Sequence, residues 1–561
     1  MGLTENFSPT YLSTGNPCLD FFFHVVPDTP AGSLVDRLAS AWAHDPLTTL
    51  KLIGNLRGVR GMGKSDKQGF YTAALWLHDH HPKTLALNAR AFSELGYFKD
   101  YVEILYRLLE GPDARKKAKK GEPGKKVLDA ADPVSVRARR KEREIAKAAK
   151  ALKRYNSDPD YRFLFDSTAD LFADLLKSDM EALRSEDYWN ISLAGKWCPS
   201  IDSSYDEHLL ICEAIARRMF PKESDEQYQG IEEAHYAYRV RDRLRKEILV
   251  PLRKALEIPE VYMSAGEWSS LPYSRVPSVA MANYSDLFLK HDRERFQEYL
   301  EKVKSRKAKI AAGALLPHQI IGQLKHPEKT AVAELQWARL VDDMSRKGKL
   351  SNCIAVSDVS GSMKGTPMEV SVALGLLVSE LSEEPWKGKV FTFSSDPELH
   401  LVRGETLMEK TEFIRTMDWG SNTDFQKVFD KILDSAVLNN LTEDQLVKRV
   451  FVFSDMEFDK ASRRWWLEEE EEERKWETDY QAIQRKFREK GYNRVPEIVF
   501  WNLRDSSATP VVGTQNGVAL VSGFSKNLLK VFMKRGGIVN CDDAMMLAIA
   551  DEEYEKLVVY D

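Results

Sequence analysis

Two short polar runs carry the side chains best suited to chemistry. The first is Asp358-Val359-Ser360-Gly361-Ser362, an Asp-x-Ser-x-Ser turn; the second is Ser454-Asp455, which closes the apolar run Val450-Phe451-Val452-Phe453. A third, Gly420-Ser421-Asn422-Thr423-Asp424, lies between them in the chain. Together Asp358, Ser360, Ser362, Thr423 and Asp455 offer two carboxylates and three hydroxyls, an all-oxygen set. Hard divalent cations choose such ligands, and Mg²⁺ in particular keeps near-octahedral geometry and several waters. No Cys or His stands among them to draw zinc. With so few protein charges, an open position on the ion suits an acidic group from a partner. Ser, Thr and Asp are also favoured helix N-caps, and capping explains each turn singly. Capping alone does not require all three turns to match, which favours a metal site.

These turns need elements to bring them together. From about Gly348 onward, short apolar runs at 352–356, 389–393, 449–453, 497–501 and 517–521 alternate with amphipathic stretches at 367–381, 424–437, 474–490 and 526–534. The alternation predicts a doubly wound α/β domain with a mostly parallel sheet. Ligands bind such sheets outside the carboxyl ends of the strands, at a topological switch point. All three turns are expected at that edge. At these residues the sequence resembles a von Willebrand factor A (vWA) domain with a metal-ion-dependent adhesion site. That family places Asp-x-Ser-x-Ser after the first strand, a Thr in a later loop and an Asp after a central strand. The resemblance spans about 348–561. It implies that Ser360, Ser362 and Thr423 ligate Mg²⁺ or another hard divalent cation, and that Asp358 and Asp455 ligate directly or through water.

Residues from about 30 to 345 read differently. Segments at 67–80, 84–95, 100–109, 167–183, 208–219 and 233–249 carry apolar residues at three- and four-residue spacing, punctuated by Pro and Gly. The pattern predicts an α-helical, HEAT-like repeat module over 1–347, built as stacked antiparallel pairs and followed by the α/β domain at 348–561. A helical region followed by an A-type domain resembles the TROVE family, the Ro ribonucleoprotein autoantigens, in which a ring of helical repeats binds small noncoding RNAs. This resemblance implies an RNA-binding, non-enzymatic ribonucleoprotein component, with small noncoding or structured RNA as partner. The alternative is a metal-dependent protein–protein interaction scaffold without RNA, its partner an acidic protein ligand at the metal. The stretches Arg275–Met281, Phe296–Leu300 and Ala312–His318 also resemble an uncharacterised plant, fungal and viral family of this architecture, which has no assigned activity.

Composition bounds the remaining choices. The chain has 561 residues, a net charge of −5, 43 % hydrophobic and 10 % aromatic content, too apolar for a disordered chain. No apolar run approaches the roughly 20 residues that span a bilayer. The N-terminus lacks a basic segment leading into an apolar one, which argues against a signal peptide. Five scattered cysteines form no CxxC pair, and a reducing, cytoplasmic setting fits them. The net charge conceals an uneven distribution. Residues 115–154 hold 16 Lys/Arg against five acidic residues, a balance of +11, so the other 521 residues carry −16. This basic insertion, at about 111–156, is expected as a loop followed by a surface helix. Arg137, Arg139, Arg140, Lys141 and Arg143 are its candidate phosphate contacts. A nuclear-import signal and a merely solvated face are the other readings. Two more basic runs, 239–246 and 302–309, could extend such a track.

Three motifs invite chemistry and receive a plainer reading. Gly58–Ser65 matches the Walker A string letter for letter, but Gly54 and Asn55 spoil any strand before it, so a glycine-rich loop between helices is expected. His78-Asp79-His80-His81 falls at a helix end before Pro82, where histidines suit the terminal carbonyls. The six glutamates 468–473 lack the glycine and alternation of a calcium loop, and read as a solvated helix or insertion. No Gly-x-Ser-x-Gly elbow or Cys–His arrangement suggests nucleophilic catalysis.

Overall fold

The computed structural model describes residues 2–3, 9–115, 133–392, 397–417, 425–438, 440–457, 479–533 and 537–561. Helix starts follow a local rule. An Asn or Asp followed by Pro opens Pro17–His24, Pro46–Arg57 and Pro159–Arg184, with Asn16, Asp45 and Asp158 each accepting hydrogen bonds from the first free backbone N–H groups. Pro at the first helical position gives up a donor that has no intrahelical partner and presets φ, while the Asx side chain satisfies the next ones.

Two helical readings are interrupted for visible reasons. The stretch 84–95 divides into Pro82–Leu87 and Ala89–Leu95, because the Asn88 side chain donates to Thr84 O and Val558 O, both at 2.7 Å, and competes with the helical ladder. The stretch 233–249 is α-helical over Glu233–Arg243 and widens to a π turn at Leu244–Leu249. Pro251 follows at once; it lacks an N–H and crowds the carbonyl four residues back, and the wider turn accommodates it.

The sheet has six strands: β1 (Cys353–Ser357), β2 (Lys389–Thr392), β3 (Leu399–Leu401), β4 (Arg449–Ser454), β5 (Glu497–Asn502) and β6 (Val518–Ser522). Their order is β3-β2-β1-β4-β5-β6, with β3 antiparallel to β2 and every other pair parallel. The chain thus reverses its direction of growth between β1 and β4, which is the switch point of a doubly wound sheet. The expected layout, helical elements with a mostly parallel α/β sheet, is the one observed. Strand β3 went unpredicted: Leu399-His400-Leu401 is short, and Leu401 is exposed.

By packing, the chain divides into two compact units. One comprises Met1–Gly69 with Tyr273–Asp551, the other Phe70–Pro272 with Glu552–Asp561. The change of element type near residue 348 lies inside the first unit. Residues 1–69 belong there because Pro17–His24 closes on the sheet. Ser522 Oγ, at the end of β6, hydrogen-bonds Phe22 O at 2.9 Å, and Asn502 Nδ2, at the end of β5, donates to Phe23 O at 3.2 Å. In the second unit the 26-residue helix Pro159–Arg184 packs against Pro82–Leu87, Lys99–Glu110, Pro133–Ser157 and Ile211–Met219. Among the described residues no helix is long and apolar enough to cross a membrane.

The helix Thr366–Leu381 lies so close on β1 that Gly375 has no room for a side chain. A Cβ there would stand 2.0 Å from Ser357 Oγ, whose hydroxyl faces Ser371 O. We predict that Gly375→Ala lowers unfolding stability in urea by about 1–3 kcal/mol, and that adding Ser357→Ala, which deletes the colliding oxygen, recovers most of the loss.

Candidate metal centre

Parallel pairing of β1 with β4 sets Ser357 opposite Phe453, and the ladder runs one step further through Asp358 N to Phe453 O at 3.1 Å. Both chains then leave the sheet beside each other, so Asp358 and Asp455 emerge at the same point of its carboxyl edge. Both are buried, at 1 % and 2 % exposure. Ser454, the last residue of β4, joins them: its hydroxyl donates to Asp358 Oδ2 at 2.8 Å and lies 3.5 Å from Asp455 Oδ1. Backbone amides complete the support. Ser360 N donates to Asp358 Oδ1 at 2.9 Å, and Glu457 N to Asp455 Oδ1 at 3.2 Å. Met456 takes a left-handed conformation, φ 67°, that turns the chain away after Asp455.

The electrostatics are unbalanced. Burial, and after it the charge of Asp455, push the Asp358 carboxyl up to about 6. Asp455 Oδ2 is buried and accepts no hydrogen bond among the described residues. Facing it is the half-exposed Arg504, whose Nη1 stands 3.9 Å away and donates to Ser362 O at 3.1 Å. At the mouth, Ser360 Oγ and Ser362 Oγ lie 3.0 Å apart. A bare carboxylate oxygen, a second carboxylate and two converging hydroxyls make an oxygen set that a hard divalent cation fits. Thr423 lies outside the described residues. Among the described residues no three His, Cys, Asp or Glu side chains gather around a common point; the set here is two carboxylates supplemented by hydroxyls. Sequence reasoning named Ser454 beside Asp455 without giving it a role, and missed Arg504. Ser454 was legible in principle as the residue that ends the strand before Asp455. Arg504 was not, because its approach depends on β5 being the neighbour of β4.

The remaining candidates separate clearly. Arg139, Lys141 and Arg143 are exposed on the helix Pro133–Ser157. Arg137 and Arg140 belong to that helix, but their side chains, like the rest of the basic loop at 116–132 and the glutamates 468–473, lie outside the described residues. The run 239–246 is largely consumed by internal partners: Arg241 pairs with Asp202 and Asp206, Arg243 with Glu247, and Arg245 and Lys246 with Asp242. In the histidine tract, His80 Nδ1 meets Trp76 O at 2.9 Å and His81 Nδ1 meets Asp561 O at 3.0 Å, while His78 is buried. All five cysteines are buried and free.

Gly58–Ser65 joins two helices, Pro46–Arg57 and Lys67–His80, as expected. Its lysine serves the fold. Lys64 is 1 % exposed, and its Nζ donates to Phe22 O, to Val25 O at 2.9 Å and to Ser522 Oγ at 2.7 Å. The loop folds on itself through Ser65 N to Gly58 O at 3.1 Å, and a Cβ on Gly63 would lie 2.2 Å from that same carbonyl. The amides of Gly63, Lys64, Ser65 and Asp66 are spent on Arg60 O, Asn55 O, Gly58 O and Leu56 O.

The fold and site define a doubly wound α/β segment with paired carboxylates at its switch point, preceded by helices. The chain belongs to the family described as a domain of unknown function (DUF2828), whose model matches residues 4–350. A second model, also described as a domain of unknown function (DUF7788), matches residues 352–558. The chain is similar to an uncharacterised protein of Acanthamoeba polyphaga mimivirus, with 27 % identity over 566 residues that cover 95 % of this chain and 84 % of the viral one.

Burial lowers Lys64 to about 7 and Lys526 to about 7, and Lys530 to about 8. Each folded value lies below that of a lysine in the unfolded chain, so above about pH 7 the unfolded state holds more protons and stability rises with pH. Burial raises the cysteine thiols, which reverses the trend once free thiols ionise near pH 8.5. The urea midpoint is therefore expected to climb between about pH 7 and 8.5, and to climb less in Lys64→Met. A flat profile in the parent chain overturns this assignment.

Proposed function

We propose that the protein is a divalent-cation-dependent binding protein, whose sheet edge, a vWA-type domain, holds Mg²⁺ through Asp358, Ser360, Ser362, Thr423 and Asp455 and offers it to a carboxylate on a protein partner. One observation carries this reading: the buried Asp455 Oδ2, beside a second carboxylate, has no donor among the described residues. Taking an ionised oxygen out of water without a partner costs several kcal/mol, and a hard cation at that point offsets the cost. The ion, when bound, supplies a Lewis-acid position for an incoming carboxylate. The protein's own residues orient it: Ser454 fixes Asp358, the Glu457 amide fixes Asp455, and Arg504 tethers the Ser360–Ser362 turn. The order of the matching residues, an Asp-x-Ser-x-Ser turn after the first sheet strand and an Asp after a central one, supports the vWA resemblance. The function so assigned is binding, not catalysis.

The test is thermal melting of the full chain with and without Mg²⁺. The parent protein gains stability, by about 2.7 kcal/mol at a hundredfold excess over Kd, whereas Asp358→Ala and Asp455→Asn do not respond. In metal-free buffer Asp358→Asn melts above the parent, because it removes one of two buried like charges. Arg504→Ala binds Mg²⁺ more tightly in calorimetry, because the guanidinium competes for Asp455. Equal Mg²⁺ responses in parent and Asp358→Ala would sink the proposal.

A second reading is RNA binding, with the helical part a HEAT-like module in a TROVE-like, cytoplasmic ribonucleoprotein. A separate observation favours it. Arg139, Lys141 and Arg143 are exposed, whereas the basic run at 239–246 is neutralised by neighbours. On this reading a structured RNA pool binds with a steep salt dependence, and the triple change to Glu reduces the slope of log K against log salt by about 0.7–0.9 for each phosphate that is no longer neutralised. Absence of binding at low salt, or an unchanged slope, removes the reading.

A further inference from the structure

The amino edge of the sheet holds a second feature, at the end opposite to the paired carboxylates. Strands β1, β4 and β5 begin around an open cavity of about 570 Å³, within the roughly 300–1,000 Å³ of small-molecule pockets. Its apolar wall comes from Leu446, Val447, Phe532 and Met533, all of them buried.

The charges around this wall do not balance. Four cations, Lys349, Lys448, Arg449 and Arg494, line it against two carboxylates, Glu443 and Glu497. Glu497 Oε2 receives Arg449 Nε at 2.8 Å and Nη2 at 2.5 Å, and its Oε1 receives Ile538 N at 2.9 Å. Glu443 Oε1 accepts Asn493 N at 2.9 Å. Arg449 is itself 8 % exposed and spends its third nitrogen on Phe532 O at 2.8 Å, and Lys349 pairs with Glu383 at 3.0 Å. Two lining cations are left over. Lys448 and Arg494 are exposed and form no ion pair among the described residues. Lys448 is one residue before β4 and Arg494 three residues before β5, so the parallel pairing of those strands sets them on the same edge.

An ammonium and a guanidinium that join no close ion pair, in a lining with two more cations than carboxylates, select an anion, and the apolar wall beside them selects one with an apolar body. Two unit charges match a dianion better than a carboxylate. A phosphate monoester carries close to two negative charges at neutral pH, and its oxygens fit the planar fork of Arg as well as the point charge of Lys. We propose that this cavity binds an organic phosphate monoester, its phosphoryl group held by Lys448 and Arg494 and its apolar body laid on Leu446, Phe532 and Met533. The site is independent of the metal reading, since it uses the other ends of the strands and none of the same residues.

The proposal is tested by calorimetric titration of the full chain with phenyl phosphate in metal-free, low-salt buffer, beside inorganic phosphate and benzoate. Phenyl phosphate binds saturably and more tightly than either, because only it offers both the dianion and the ring. The double variant Lys448→Glu, Arg494→Glu weakens it by about tenfold or more, with unchanged circular dichroism as both side chains are exposed. Should that variant misfold, Lys448→Gln with Arg494→Gln gives the same readout. No binding of phenyl phosphate overturns the proposal, as does equal binding by parent and double variant. Inorganic phosphate or benzoate binding as tightly as phenyl phosphate also overturns it, by removing the role of the wall or of the second charge.

Discussion

The pairing of β1 with β4 is the constraint on which the carboxyl edge of this protein depends. Once Ser357 is opposite Phe453, and Asp358 N has extended the ladder to Phe453 O, the next side chains of both strands leave the sheet at one place. Two carboxylates are thereby forced together in a buried position, where like charges oppose each other's ionisation. The neighbourhood is built to hold them there. A hydroxyl from Ser454, amides from Ser360 and Glu457, and a left-handed Met456 are all engaged on this pair. A fold under no functional demand would place apolar groups here at less cost. That cost, concentrated on Asp358 and Asp455, is the physical ground for assigning them a ligand.

The same edge also secures the beginning of the chain. Strands β4, β5 and β6 end in Ser454, Asn502 and Ser522, a row of buried polar residues one strand apart. Ser454 serves the carboxylates, while Asn502 and Ser522 reach the carbonyls of Phe23, Phe22 and Val25 at the end of the first helix. The last carbonyls of a helix lack intrahelical donors, and Lys64 adds its amine to the same group. The amine donates to both carbonyls and to the Ser522 hydroxyl oxygen, so three hydrogen bonds offset a burial that lowers the lysine value. Residues 1–69 thus belong with the sheet, although their helical pattern makes them look like part of the preceding helical region.

Legibility in the sequence followed the range of the interaction responsible. Strands β1, β4, β5 and β6 could be read within a residue or two, because a strand covered on both faces is written as a continuous apolar run. Helix starts at Asn16-Pro17, Asp45-Pro46 and Asp158-Pro159 are encoded within a few residues. The Asp-x-Ser-x-Ser turn was legible because its spacing is local, and Asp455 because a strand points to it. What needed tertiary knowledge was not legible. Arg504 meets Asp455 only through the order of strands, β3 has too few residues to show a period, and the grouping of 1–69 with the sheet rests on contacts some 500 positions apart in the chain. The Walker A string shows the reverse case, a local match, set aside for want of a strand, whose lysine is claimed by distant carbonyls.

Charge makes the point most sharply, because its total, its local density and its pairing gave three different answers. The total of −5 suggests nothing. Local density singles out 115–154 and 239–246 alike, yet in the second run Arg241, Arg243, Arg245 and Lys246 are matched by Asp202, Asp206, Glu247 and Asp242. Surface pairs of this kind contribute little to stability, but they remove the field that would attract an anion. Conversely, no dense run marks Lys448 and Arg494, which matter because they join no ion pair among the described residues and their cavity is lined by more cations than carboxylates, nor Asp455, whose one bare oxygen outweighs dozens of solvated acids. A binding site in this protein is therefore best sought where a charged group has been left without its partner, and the two ends of the sheet answer that description with opposite signs.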